Sequence, residues 1–173
     1  MRATKKITVS AMATALGSAL MAIGAVWELV DMALAALASF LIVIIIIEVG
    51  SPYPTLVWIT TSLITFLLFP SSTVWLMYFV FGVFPILKYY IEKLKRLFWF
   101  PLKLIYVNAC IIGLFYALDF IFGTPLFGTD MPVVKAALYV VLNIAFFMYD
   151  RLLTLLIRLY MGKYRQRFRH LFK

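Results

Sequence analysis

Several side chains have the types and placement to hold a small molecule: Trp27, Asp31, Trp75, Tyr78, Tyr116, Asp119, Tyr139 and Asn143. Trp75 and Tyr78 are one helical turn apart, as are Tyr116 and Asp119, and Tyr139 and Asn143, so each pair shares a helix face. Aromatic walls with a few polar anchors are the usual lining of a ligand pocket. With Glu28 close to Asp31, such a mouth is acidic and aromatic, which favours a neutral or cationic ligand through charge and cation–π contact. Each residue also has a plainer reading. Trp and Tyr gather at membrane interfaces, and Asn108 and Asn143 serve equally as hydrogen-bonding links between helices or as ligand contacts. Catalysis is not indicated. The sequence has no glycine-rich nucleotide loop, no Gly-x-Ser-x-Gly elbow, no His-Glu-x-x-His and no pair of intramembrane aspartates. Cys110 and His170 are single and stand in no metal-ligand spacing, so neither a metal nor another cofactor is expected.

The elements that must position these residues are membrane spans. Hydrophobic residues make up 65% of the 173-residue chain and the mean hydropathy is +1.04, well above the apolar share of a soluble domain. A span needs about 20 apolar residues. The sequence predicts an all-α polytopic membrane protein, one transmembrane domain over 1–173, with helices near 7–27, 32–49, 55–69, 73–90, 100–122 and 133–158. Breaker residues separate them: Gly50, Pro52 and Pro54 before the third helix, Pro70 after it, and 123–131 before Pro132. Ser71 or Ser72 is placed to cap the fourth. The first apolar run is too long for an ordinary signal peptide and is expected to be retained.

Charge sets the expected orientation, because basic residues collect at the cytoplasmic ends of spans. Arg2, Lys5 and Lys6 precede the first helix. Lys88, Lys93, Lys95, Arg96 and Lys103 lie between the fourth and fifth, and Arg151, Arg158, Lys163, Arg165, Arg167, Arg169 and Lys173 lie toward the C-terminus. A six-span arrangement with both termini in the cytoplasm puts all of these on one side and leaves only Lys135 on the other. The stretch 88–103 reads as an amphipathic connector at the interface, with Glu92 spaced to pair with Lys88 and Arg96. Glu48 is expected to meet a basic residue of that connector, and Asp150 its neighbour Arg151. The tail 159–173 carries Tyr160, Tyr164, Phe168 and Leu171 as an apolar stripe beside Arg165, Arg169 and Lys173, which suits anionic lipid headgroups. The net charge of +9 therefore needs no nucleic-acid partner.

The first helix carries the most specific pattern. Ala11, Ala15 and Ala19 recur every fourth position, with Ala13, Gly17, Ser18 and Ala22 close by. Such a small-residue face lets another helix backbone approach closely in lipid, either within the chain's own bundle or on a partner. The opening stretch from Thr4 to Gly17, TKKITVSAMATALG, resembles the start of substrate-binding S components of energy-coupling factor (ECF) transporters. The resemblance implies a compact six-helix bundle in the bacterial cytoplasmic membrane with both termini inside. It implies docking of the Ala11, Ala15 and Ala19 face on a transmembrane coupling subunit driven by two ATP-binding subunits. It also implies uptake of a vitamin-like small molecule bound from outside. The alternative is a small non-transporting scaffold, similar to the cell-shape protein MreD, acting through helix–helix assembly.

Overall fold

A glycine-poor, proline-punctuated apolar chain has few ways to satisfy its backbone in lipid other than helices, and the described residues contain helices and no strand. The computed structural model describes residues 3–27, 30–122 and 132–164. They form six α-helices: α1 (Ala3–Val26), α2 (Asp31–Glu48), α3 (Tyr53–Leu68), α4 (Val74–Ile91), α5 (Trp99–Phe122) and α6 (Pro132–Leu159). Five helical segments are long and apolar enough to cross a membrane, and the shorter apolar helix is α3. At 1.5 Å per residue its 16 residues reach about 24 Å, short of a hydrocarbon core of about 30 Å.

The predicted boundaries hold to within a few residues except in two places. The helix expected from residue 7 begins at Ala3, because nothing in residues 3–6 breaks a helix. The connector expected over 88–103 is absorbed by its neighbours. α4 runs on to Ile91, a single 3-10 turn covers Arg96–Phe98, and α5 starts at Trp99. The Trp99 indole donates to the Leu94 carbonyl across 2.9 Å, which closes that turn.

The chain packs as two compact units, Met1–Tyr89 with Leu153–Lys173 and Tyr90–Leu152. In the first, α1 packs on both α2 and α3. α2 presents Ala35, Ala38, Ile42 and Ile45 at alternating three- and four-residue steps. With Met21, Val57, Val74 and Tyr78 they form a buried cluster. The inward face of α1 is Ser10, Gly17, Met21 and Gly24. A Cβ on Gly17 would stand 3.3 Å from Thr61 Cγ2, and one on Gly24 would stand 3.0 Å from Val74 Cγ2. Small residues are therefore what let α1 reach its neighbours, and in lipid that contact is the main attraction between helices. Gly50 turns the chain between α2 and α3 at φ 80°, a conformation that suits a residue without a Cβ. Ser72 Oγ accepts the Val74 N–H at 3.3 Å, the cap expected at the start of α4.

In the second unit α5 and α6 meet through aromatic side chains. Phe100 stacks on Phe147 at 5.6 Å, and Phe146 lies between Tyr106 and Tyr149 at 6.0 and 6.3 Å. Offset and edge contacts of this kind add about 0.5–1.5 kcal/mol each beyond their buried area.

Candidate functional site

The eight candidate pocket residues divide between the two units. In the first, Asp31 is taken up by the fold. Its Oδ1 accepts the Met32 N–H at 2.5 Å and its Oδ2 accepts the Thr73 hydroxyl at 3.2 Å, so it ties the start of α2 to the start of α4. Tyr78 is only 1% exposed and belongs to the buried cluster. The three-residue step from Trp75 does put both on one side of α4, but Tyr78 turns to the core. Trp75 packs edge-on against Phe66 at 5.0 Å. Its indole N–H is buried with no partner among the described residues, which leaves that donor unspent. Trp27, just past the end of α1, is exposed, as expected of a belt residue.

In the second unit Tyr139 and Asn143 come together with Asn108. Asn108 Oδ1 accepts from the Tyr139 hydroxyl and, at 3.5 Å, from Asn143 Nδ2. Asn143 Nδ2 also donates to the Tyr139 carbonyl at 3.0 Å. The amides thus pair with each other across α5 and α6, the linking role that the sequence offered for them. Donor and acceptor capacity remains on the Asn108 amide nitrogen and the Asn143 amide oxygen. Tyr116 is exposed, and the Asp119 side chain lies outside the described residues.

Two lysines of the stretch expected to form an amphipathic connector at the interface are buried. Lys88, 2% exposed, donates from Nζ to the Thr154 hydroxyl at 2.7 Å. Lys103 donates to both oxygens of Asp150, at 3.0 and 2.8 Å, and stands 3.5 Å from Glu92. Asp150 is therefore held by Lys103 of α5, not by its sequence neighbour Arg151. Glu92 also meets Lys103 instead of being confined to its own helix. A charge inside a span must pair or coordinate to be tolerated, and the only signal in the sequence was two opposite charges inside neighbouring apolar runs. Glu48 accepts the Tyr160 hydroxyl at 3.3 Å. Tyr160, expected on the lipid-facing stripe of the tail, is thus buried, and residues 165–173 of that tail lie outside the described residues.

No family model, curated protein or solved structure matches the chain. Its surface is therefore the guide to what it meets.

Ala11, Ala15 and Ala19 are exposed on α1, turned away from the inward Ser10–Gly17–Gly24 face by well over a quarter turn. Ala11 and Ala15 edge a groove of about 430 Å³ between α1 and α3, walled by Leu56, Thr60 and Ile64. Ser10 lies at its floor, and its hydroxyl is buried with no partner among the described residues. α1 thus carries two small-residue faces. One is used within the first unit and the other is open.

Proposed function

We propose that the chain is a multi-pass membrane subunit that docks through the Ala11, Ala15 and Ala19 face on a partner transmembrane protein. In this reading it acts as the substrate-binding subunit of an ECF-type uptake transporter, with the partner a coupling subunit energised by two ATP-binding subunits. The carrying observation is the exposure of those alanines beside an open groove, while a separate small-residue face of α1 does the packing inside. Six spans with both termini in the cytoplasm agree with the basic residues flanking them. The ligand, a vitamin-like small molecule, would be met in the first unit by the unspent Trp75 indole donor.

Ala15→Leu places bulk where two backbones must approach. Overpacking of this kind costs about 1–3 kcal/mol, so partner affinity should fall about fivefold to a hundredfold. Because Ala15 is exposed, the variant should melt at the wild-type temperature. Pull-down of the coupling and ATP-binding subunits from the native membrane checks the first outcome, and detergent melting the second. A variant that unfolds would return the alanine face to internal packing.

A scaffold reading is favoured by one observation, the absorption of Tyr78 and Asp31 into packing. It predicts that the chain retains membrane partners but no ATP-binding subunit and no small molecule.

Orientation is open to direct test. In a Cys110→Ala background, a cysteine at Ser71, exposed between α3 and α4, should react with an impermeant maleimide from outside. A cysteine at Ser51, exposed between α2 and α3, should react only after the membrane is opened. Labelling of Ser51 in intact cells would overturn the orientation.

A further inference from the structure

Along α6 a shallow groove of about 410 Å³ is lined by Ile144, Phe147 and Met148 and ends at Arg151. Its wall is held firm, since Phe147 stacks on Phe100 and meets Phe146 edge-on at 6.1 Å. Arg151 closes the groove at the level where Lys103, Asp150 and Glu92 gather. That band of charges cannot sit in the hydrocarbon centre and marks the headgroup depth of this unit. Within the band the lysine and the carboxylates answer one another. Arg151 does not share in this: it is exposed and has no partner among the described residues. From Ile144 to Arg151 the helix rises about 10 Å, within the roughly 15 Å of a single leaflet's hydrocarbon, and the groove runs from Arg151 back toward the middle of the span.

The geometry points to a binding site for one anionic phospholipid, its phosphate on the Arg151 guanidinium and one acyl chain along Ile144, Phe147 and Met148. A guanidinium facing lipid at headgroup depth needs an anion, and a phosphate oxygen pair fits its two-pronged donor geometry. The exposed Lys93, Lys95 and Arg96 lie in the turn leading into α5, whose Phe100 supports the groove. They add positive potential on the same unit without a groove of their own. A soluble phosphate would find the guanidinium but leave the apolar groove empty, so the occupant is a lipid. The inference needs only that α5 and α6 cross a bilayer, and it is independent of transport.

Native mass spectrometry of the full chain, released from nanodiscs of equal phosphatidylglycerol and phosphatidylcholine, reads the site directly. Wild type should retain one phosphatidylglycerol in preference to phosphatidylcholine by a factor of about five, the size expected of one basic residue near an anionic headgroup. Arg151→Gln should abolish the preference. Arg158→Gln, which removes another exposed cation of α6 outside the groove, should keep it. Met148→Trp fills the groove and leaves the charge, so it should reduce retention of both lipids. Inorganic phosphate added to the wild type should displace nothing. Equal loss in Arg151→Gln and Arg158→Gln, retention unchanged by Met148→Trp, displacement by phosphate, or no lipid preference in wild type would each overturn the site.

Discussion

Replacing Lys103 by Met should destabilise the chain by about 3–5 kcal/mol, the usual result of leaving a buried charge without its partner. The Lys103 side chain is 9% exposed and Asp150 11%, so water cannot take over the lysine's role. Both Asp150 oxygens lose a charge-assisted hydrogen bond, at 3.0 and 2.8 Å, when the ammonium goes. Glu92, at 34% exposure, still reaches solvent and contributes less. The double variant Lys103→Met/Asp150→Leu should recover most of the loss, since replacing both members of a buried pair by apolar groups is often neutral or stabilising. Melting of the purified chain in detergent, with both single variants and the double, yields the coupling energy. A Lys103→Met chain that melts with wild type would mean that the pair is solvated and that the headgroup band at this end of α5 and α6 is misplaced.

That pair shows where reading the sequence stops. Lys103 and Asp150 are 47 residues apart, and no local period relates them. Periodicity is blind to contacts between helices, so it offers Asp150 only its neighbour Arg151 and places Lys103 only at the end of an amphipathic interfacial connector. The helices themselves were legible because runs of apolar residues end at Gly50, Pro70 and Pro132, where backbone chemistry forbids continuation. The small-residue stripe of α1 was legible too, but only half its meaning was. Ala11, Ala15 and Ala19 stood out by their four-residue spacing. Ser10, Gly17 and Gly24, spaced by seven, turned out to be the face that packs inside. Which of two small faces turns inward depends on what α2, α3 and α4 offer, and Thr61 and Val74 decide it. At the candidate pocket, spacing put Trp75 and Tyr78 together but could not say that Tyr78 has the core as its partner. Tyr139 and Asn143 were found because an amide inside a span demands a partner, and Asn108 supplies it.

The close approach of α3 and α4 gives the second large effect. A Cβ added to Gly82 would lie 2.6 Å from Trp58 Cδ1 and 3.3 Å from Ile42 Cδ1. The first distance is well inside contact, and the obstructing atom belongs to a rigid ring, not to the end of a flexible chain. That ring is also tethered. Its Nε1 donates to the Phe79 carbonyl at 3.1 Å, and its face packs on Phe79 at 4.9 Å. Moving it aside weakens a hydrogen bond worth about 1 kcal/mol and an aromatic contact of similar size. Gly82→Ala should therefore destabilise by about 1–3 kcal/mol, net of the up to about 1 kcal/mol that alanine gains over glycine inside a helix. Gly113→Ala supplies the control on the same footing, because its added Cβ meets nothing within 4 Å. There only the propensity gain remains, and the chain should melt at or slightly above wild type. Adding Trp58→Leu to Gly82→Ala should then cost less than Trp58→Leu alone, since in that background the smaller side chain also relieves the clash with the added Cβ. If Gly82→Ala and Gly113→Ala shift the melting temperature alike, α3 and α4 do not meet at Trp58, and the first unit is more loosely packed than its buried cluster implies.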